Sequence, residues 1–346
     1  MNLKKKFPYV FFVLLFIWLM SCSSSVRKND EDSGVNIIFY NTENMFDTRD
    51  DPLTIDEEFL PEGERHWTSF RFYKKLNHIS KAIIASCEYH FPEIVGLAEV
   101  ENRFVLEQLT LRTSLSSLKY KIIHKDSPDE RGIDVACLYM PEKVTPLEYK
   151  YYPILYPNGH INKTREILYV QFRLFNGDTL HLFFNHWPSR YGGQAKTENL
   201  RRMAAERLRN LTDHLFEIYK NPRIVIMGDF NDEYSNKSIK YYLKAKKNDD
   251  LSVKNELIDL SSSWHGGTLK YHQSWQIFDH IIVSDNLLKT DKNHLSVDIN
   301  NTGISNLDFL LEPDVKYKGM RPDRTYIGFK YHGGFSDHLP VHINLN

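Results

Sequence analysis

Two oxygen-rich side chains placed two apart, Asp229 and Asn231, close a short apolar run in the stretch RIVIMGDFND at 223–232. On a strand, residues two apart project from the same face, so the pair presents a carboxylate and an amide together at the strand's mouth. Such a pair can hold a phosphate, a hard metal ion or an attacking water; read alone, it is equally a buried strand ending in an Asp/Asn turn. The pattern recurs. Asn41 and Glu43 follow the apolar run at 36–40, Glu99 lies near the end of EIVGLAEV at 93–100, His186 near the end of the run at 179–187, and Asp337 and His338 precede the run at 339–345. Asp279 lies inside F-D-H-I-I at 278–282, where an unpaired carboxylate would be costly. A neighbouring imidazole would satisfy it, and a carboxylate that orients a histidine makes that histidine a base or a proton donor.

The elements that must position these residues alternate in kind. Stretches 70–89 and 102–118 read as helices, the first with Leu76, Ile79, Ile83 and Ile84 at helical spacing. From residue 119 strand follows strand, at 120–124, 133–140, 148–152, 165–175 and 179–187, with Pro, Gly, Asn and Asp turns between them. The longest helix is expected at 194–219, where Leu200, Met203, Ala204, Leu208, Leu211 and Leu215 form one stripe, and it leads into the strand at 223–230. A short helix at 235–245 and strands at 275–283, 296–299, 326–330 and 339–345 complete the order. The stretch 47–68 has no period, is rich in acids, Pro and Gly, and reads as a surface loop bordering a cleft. Two blocks of strands with a few helices predict an α/β protein: a four-layer α-β-β-α sandwich of two packed mixed sheets, in one domain over 35–346. That architecture gathers strand ends along one edge.

With 346 residues, 41% hydrophobic and 26% charged, the chain has the composition of a soluble globular protein, and its 21 Phe and 20 Tyr suit a sheet-rich core. The N-terminus differs. Lys4, Lys5 and Lys6 precede an apolar run at 10–20, short for a bilayer span and right for a signal-peptide core, so a signal peptide is expected at 1–21, with a transmembrane anchor as the competing reading. L-M-S-C at 19–22 resembles a bacterial lipoprotein cleavage box, which would make Cys22 the lipidated first residue and 22–34 a flexible tether. The expected location is therefore extracytoplasmic, on a membrane facing the periplasm or at the cell surface. Cleavage removes three of the 44 basic residues and none of the 45 acidic ones. The mature chain has no global basic field, and any nucleic-acid affinity has to come from a local patch. Cys87 and Cys137 could pair in an oxidising compartment, but both sit in apolar contexts, and buried free thiols are the preferred reading. Among 15 His there is no H-E-x-x-H and no Cys/His cluster, which argues against a zinc hydrolase.

The ordered set N-T-E-N, L-A-E-V-E-N, R-G-I-D-V-A-C-L-Y, N-H-W-P-S-R, G-D-F-N, F-D-H-I and S-D-H-L-P resembles the endonuclease/exonuclease/phosphatase superfamily. That superfamily includes DNase I-like nucleases, abasic-site endonucleases, sphingomyelinases and inositol polyphosphate 5-phosphatases. The resemblance runs over about 35–345 and implies a DNase I-like fold and hydrolysis of a phosphoester by activated water, with no covalent intermediate. It implies Mg²⁺, with Mn²⁺ or Ca²⁺ as alternatives, held by Asn41 and Glu99. Glu43 would be a further or water-mediated ligand, and Asp337 a second ligand or a group that tunes His338. Asp229 and Asn231 would position the water and the phosphate; His338, held by Asp279, would be the general base or a phosphate-orienting imidazole. His186 would stabilise the phosphate or protonate the leaving oxygen, with Asp134 as its candidate partner and Arg190 as a candidate phosphate contact. His181, an odd five residues before His186, points to the opposite face and reads as a packed or surface histidine. Abasic-site enzymes use a tyrosine near the place of His186, so that role is disfavoured.

N-H-W-P-S-R-x-G-G is similar to the predicted extracellular nuclease branch, which makes an extracytoplasmic endonuclease acting on DNA or RNA the first expectation. The alternative is a sphingomyelinase-like or inositol-phosphate phosphodiesterase or phosphatase; a non-catalytic binder that kept the fold ranks last. Nucleic acid as substrate and a membrane, through the lipid anchor, are the expected partners, with no protein partner.

Overall fold

The computed structural model describes residues 34–87, 90–248, 254–289 and 294–346. The expected signal peptide and Cys22 lie outside the described residues. In chain order the elements are β1 (Val35–Met45), α1 (Ser69–Ala85), β2 (Ile94–Val100), α2 (Arg103–Arg112), β3 (Lys121–Ile123), β4 (Asp134–Tyr139), β5 (Val144–Tyr152), β6 (Ile167–Leu174), β7 (Thr179–His186), α3 (Gln194–Ile218) and β8 (Arg223–Asp229). There follow β9 (Lys246–Lys247), β10 (Leu257–Asp259), β11 (Leu269–Tyr271), β12 (Ser274–Gln276), β13 (Asp279–Ser284), β14 (Val297–Ile304), β15 (Leu311–Pro313), β16 (Met320–Pro322), β17 (Tyr326–Ile327), β18 (Lys330–Tyr331) and β19 (Val341–Leu345).

Two mixed sheets result, one of six strands in the order β14-β19-β1-β2-β4-β3 and one of seven in the order β5-β6-β7-β8-β13-β10-β9. In each, the two central strands that matter here run parallel, β1 beside β2 and β7 beside β8. A parallel pair needs a crossover, supplied by α1 in the first case and α3 in the second. Period-two alternation decides the layers. Val35, Ile37 and Phe39 of β1 face Leu180, Leu182 and Phe184 of β7, Val225 and Met227 of β8, and Ile281 and Val283 of β13 in one buried core between the sheets. Phe39 and Phe184 stack at 6.2 Å between centroids. The ring of Phe184 needs Gly96 on β2, because a Cβ there would meet its Cε1 at 2.2 Å.

The alternate residues face outward. Ile38, Tyr40, Val95 and Leu97 are covered by Leu76, Ile79 and Ile83 of α1 and Val105, Leu106 and Leu109 of α2. Phe183, Ile224 and Ile226 are covered by Met203, Ala204, Leu208 and Leu215 of α3. This is the four-layer α-β-β-α sandwich expected from the sequence. Several boundaries differ for local reasons. The helix expected at 102–118 is two pieces, because Thr113 turns extended and caps the 3-10 turn Ser114–Leu118 by accepting from the Leu115 N–H. The strand expected at 275–283 splits into β12 and β13, and that at 326–330 is a hairpin turning at Gly328, φ 61°. The short helix expected at 235–245 is a π-turn, Ser238–Leu243. Cys87 and Cys137 are buried and free. No helix of the described residues is long and apolar enough to cross a membrane.

Candidate active site

The alternation that builds the inner core continues one step beyond it, and there the residue types change. After Val35, Ile37 and Phe39 the next inward residue of β1 is Asn41; after Leu180, Leu182 and Phe184 it is His186; after Val225 and Met227 it is Asp229; before Ile281 and Val283 it is Asp279. The same geometry that buries hydrocarbon thus sets four polar groups at one end of the sandwich. Strand pairing brings three of them together, with His186 and Asp279 as the Cα partners of Asp229 on either side, and Asn41 meets them from the other sheet. Gly228 permits the first contact, since a Cβ would meet the Asn185 carbonyl oxygen at 2.3 Å.

Backbone strain marks the same strand ends. Glu43, Asn44, Glu99 and Asn231 all lie in the left-handed region, at φ 51°, 54°, 60° and 51°. Each such residue costs about 1–3 kcal/mol and persists where the surroundings over-determine it. At Glu99 the consequence is a bulge: pairing with β4 shifts between Ala98 and Val100, and Glu99 leaves the alternation to enter the site. Its Oε2 accepts the Asn44 N–H at 2.8 Å and its Oε1 the Asn41 Nδ2 at 3.3 Å.

Asp229 Oδ2 is the hub. It accepts from Asn41 Nδ2 at 3.1 Å and from Asn231 Nδ2 at 3.2 Å. The Nε2 atoms of His186 and His338 both face it at 3.7 Å, beyond hydrogen-bond length, so both remain able to bond a substrate oxygen. His338 is oriented from behind, its Nδ1 lying 2.7 Å from Asp279 Oδ2. Asn231 also donates to the Trp187 carbonyl at 3.0 Å, which locks it and Asp229 in place.

Burial pushes the Asp229 carboxyl up to about 7, with His338 opposing and Asp279 adding to the rise. Burial opposes charge on His338, yet Asp279 and Asp229 outweigh it and hold the imidazole well above its ordinary value. Burial, then Arg165 and Arg131, hold His186 well below, so its ring is neutral. Both rings are buried, and they differ in the direction of their shifts, His338 up and His186 down. The His186 Nδ1 and Asp279 Oδ1 atoms are buried without a hydrogen-bond partner.

Three placements differ from expectation, and Asp337 keeps the second of its two expected parts, a charge acting on His338. Asp134 does not partner His186: its Oδ2 lies 2.9 Å from His124 Nε2 and its Oδ1 accepts the Ser127 N–H, because the β3–β4 pairing brings 124 beside 134. Arg190 is not free for phosphate, since it donates to the Asn231 carbonyl at 2.7 Å and to Asp232 Oδ1 at 2.9 Å. Glu43 is not an open ligand, both its oxygens being taken by Arg324 Nε at 3.2 Å and the Thr325 N–H at 2.6 Å. Asp337 is bound to Arg324 Nη2 at 2.9 Å and reaches His338 only through its charge. His181 is buried against Tyr169 OH at 2.9 Å, on the outward face.

Other residues had no assigned part. Ser336, inside the quoted S-D-H motif, donates to the Asn41 carbonyl at 2.7 Å and accepts the His338 N–H, tying two strand ends together. Thr268 Oγ1 accepts the N–H of Phe278 and of Asp279, and no sequence signal marks it. Arg131, in the quoted R-G-I-D motif, is half exposed, has Asp129 at 3.6 Å as its ion-pair partner, and acts electrostatically on His186.

The donor chemistry fits a hard divalent ion. Asn41 and Glu99 carry amide and carboxylate oxygens at the strand mouth, the hard donors such an ion takes. Asn41 and Glu99 would hold the ion.

A layered sandwich whose strand ends gather carboxylates, an amide and two imidazoles of opposite charge preference defines a phosphoester hydrolase. A family model described as "Endonuclease/Exonuclease/phosphatase family" matches residues 36–346, and the chain belongs to that family. Family members are phosphoesterases that typically use a divalent metal. No curated protein matches the chain. Among solved structures it is similar to a humanized D. rerio TDP2, at 13% identity and TM-score 0.55 over 90% of this chain and 99% of that one. It is similar to a mannosyl-6-phosphatase from Bacteroides thetaiotaomicron, at 17% identity and TM-score 0.56 over 90% and 99%. The human Nocturnin catalytic domain follows at 16% and 0.52, over 90% and 94%. At these identities the likeness is one of fold.

Proposed function

We propose that the protein is a divalent-metal-dependent phosphodiesterase, an extracytoplasmic endonuclease that cleaves DNA or RNA by direct attack of water. The observation that carries the chemistry is Asp229 Oδ2 set 3.7 Å from both His186 Nε2 and His338 Nε2. A bound divalent ion would supply Lewis-acid polarisation of the phosphoryl oxygen. Asp229, fixed by Asn41 and Asn231, orients the attacking water and takes its proton; a P–O bond forms in line with the one that breaks, and the leaving oxygen is protonated from solvent water. His338, charged and aimed by Asp279, holds a phosphoryl oxygen or passes a proton at Nε2, and neutral His186 donates a hydrogen bond to the leaving oxygen. Nucleic acid is the first substrate class because 185–193, N-H-W-P-S-R-Y-G-G, is similar to the extracellular nuclease branch.

One observation favours a second reading, a phosphodiesterase or phosphatase acting on a lipid, inositol or other small phosphate ester. A groove of about 570 Å³ opens beside Asn44 and Arg131 and is lined by Glu57, Glu58, Glu62 and Glu64. Glu58 is paired with Arg65 at 3.1 Å, and the other three carboxylates weigh against a polyanionic strand on that side and suit a hydroxyl-rich or cationic leaving group. The purified protein is incubated with plasmid, single-stranded RNA, sphingomyelin and inositol phosphates, with Mg²⁺ or with EDTA. Strand cleavage that stops in EDTA is expected. Intact plasmid and RNA beside released phosphocholine or inorganic phosphate would replace the nuclease reading with the second.

A further inference from the structure

Outside the strand-end cluster, a histidine and two carboxylates meet where two short hairpins come together. Glu312 lies on β15, Asp323 follows β16 directly and His332 follows β18 directly. Both carboxylates converge on one atom: His332 Nε2 lies 2.6 Å from Glu312 Oε2 and 3.2 Å from Asp323 Oδ1. A ring nitrogen carries at most one proton and cannot donate fully to both oxygens, whereas a metal ion at the centre bonds all three atoms at once. Each ligand is braced from behind. Arg321, the cross-strand partner of Glu312, holds its Oε1 at 2.9 Å and leaves Oε2 turned to the histidine. The Asp323 N–H donates to the Leu310 carbonyl at 2.8 Å, and Gly334 makes room for Asp323 Oδ1, which a Cβ there would meet at 2.3 Å. The His332 N–H donates to the Thr325 carbonyl at 2.9 Å. The three ligand atoms lie within 4.8 Å of one another, and His332, 34% exposed, opens the group to solvent.

We propose that Glu312, Asp323 and His332 form a structural site for a divalent transition-metal ion, with Zn²⁺ the best match. The proposal stands whether or not an ion binds at Asn41 and Glu99. One imidazole nitrogen with two carboxylate oxygens is a borderline donor set that suits Zn²⁺ better than Mg²⁺, which keeps to oxygen. Zinc bonds of about 2.0–2.2 Å set tetrahedral ligand atoms about 3.4 Å apart. Small side-chain rotations reach that spacing from 2.6 and 3.2 Å, and water completes the shell on the open side. The ion takes no part in the reaction. It ties the β15–β16 hairpin to the β17–β18 hairpin, and with them the chain at Arg324, whose guanidinium holds Glu43 and Asp337. Of the other His–carboxylate clusters among the described residues, Asp229, Asp279 and His338 belong to the site already described. His124 with Asp126 and Asp134 is the poorer candidate, since Asp126 Oδ1 stands 4.0 Å from the ring on an exposed side chain and Asp134 Oδ1 is spent on the Ser127 N–H.

The test is equilibrium dialysis of the full-length protein against Zn²⁺ with Mg²⁺ in excess, bound zinc being counted per chain, beside thermal unfolding with and without Zn²⁺. His332→Ala and Glu312→Gln are each expected to bind one zinc fewer than wild type and to lose the rise in Tm that Zn²⁺ gives wild type. Glu99→Gln and His124→Ala are expected to keep that zinc. A folded His332→Ala that binds as much zinc as wild type overturns the proposal and leaves the three residues an ion-pair cluster. So does a wild type that binds no zinc, a result that needs no variant to fold.

Discussion

The strand β13 begins with two adjacent residues that each form half of a buried histidine–carboxylate pair, on opposite faces of one sheet. Asp279, facing inward, holds His338 Nδ1 at 2.7 Å; His280, facing outward, meets Asp259 Oδ2 through its own Nδ1 at 2.9 Å. Burial opposes charge on both rings, and on both the carboxylates prevail and raise the pKa. The difference lies at the other nitrogen. His280 Nε2 is closed by the Asp232 carbonyl at 2.9 Å, with the ring packed at 5.3 Å against Phe230, while His338 Nε2 faces Asp229 across 3.7 Å. A His–Asp pair is thus a structural device by default, and it becomes chemical only where the second nitrogen is left for a substrate. His124–Asp134 is a third such pair, and neither residue bonds the hub.

The comparison can be broken at either pair. His338→Ala should lower kcat by about 10²–10⁴-fold with the far-UV circular dichroism unchanged, since it removes a proton-handling group at the reacting atoms. Asp279→Asn should cost less, roughly 10–100-fold, because it disturbs the orientation of His338 and leaves the ring present; kcat at saturating substrate distinguishes the two. His280→Ala should act on stability, lowering it by about 3–5 kcal/mol by breaking a buried pair, with kcat per folded molecule retained. Urea titration reads this directly. The sign of its pH dependence follows from the raised folded pKa of His280. The pair's stabilisation is whole below the ordinary imidazole value of about 6.5 and is lost as pH rises through the folded value. The stability gap between wild type and His280→Ala should therefore narrow as the buffer is made more alkaline. The smallest effect is expected at Arg131, where Arg131→Ala should raise KM severalfold and leave kcat, as befits a half-exposed cation beside His186.

Much of this was legible in the sequence because period two carries through from core to site. Asn41, His186, Asp229 and Asp279 continue the inward registers of Phe39, Phe184, Met227 and Ile281, so apolar alternation alone points them at one edge. Glu99 escapes that rule, and only its left-handed bulge brings it in. The errors concern partners. Glu43 and Arg324 meet across 281 positions, and Arg190 folds onto Asp232 and Asn231, contacts for which no local pattern exists. Asp134 and His124 are closer in sequence, but the β3–β4 register had to be known before the pair could be read. Adjacent Asp279 and His280 show the limit best: their types are equally suggestive, and only the face each occupies separates a place in the strand-end cluster from packing.

The most direct test compares the two pairs in one assay: initial rates of bis(p-nitrophenyl) phosphate hydrolysis with Mg²⁺ for wild type, His338→Ala and His280→Ala, each normalised to folded protein. A fall of about 10²-fold or more for His338→Ala, beside a wild-type rate for His280→Ala, is the result expected. Wild-type-like turnover by folded His338→Ala would contradict the account.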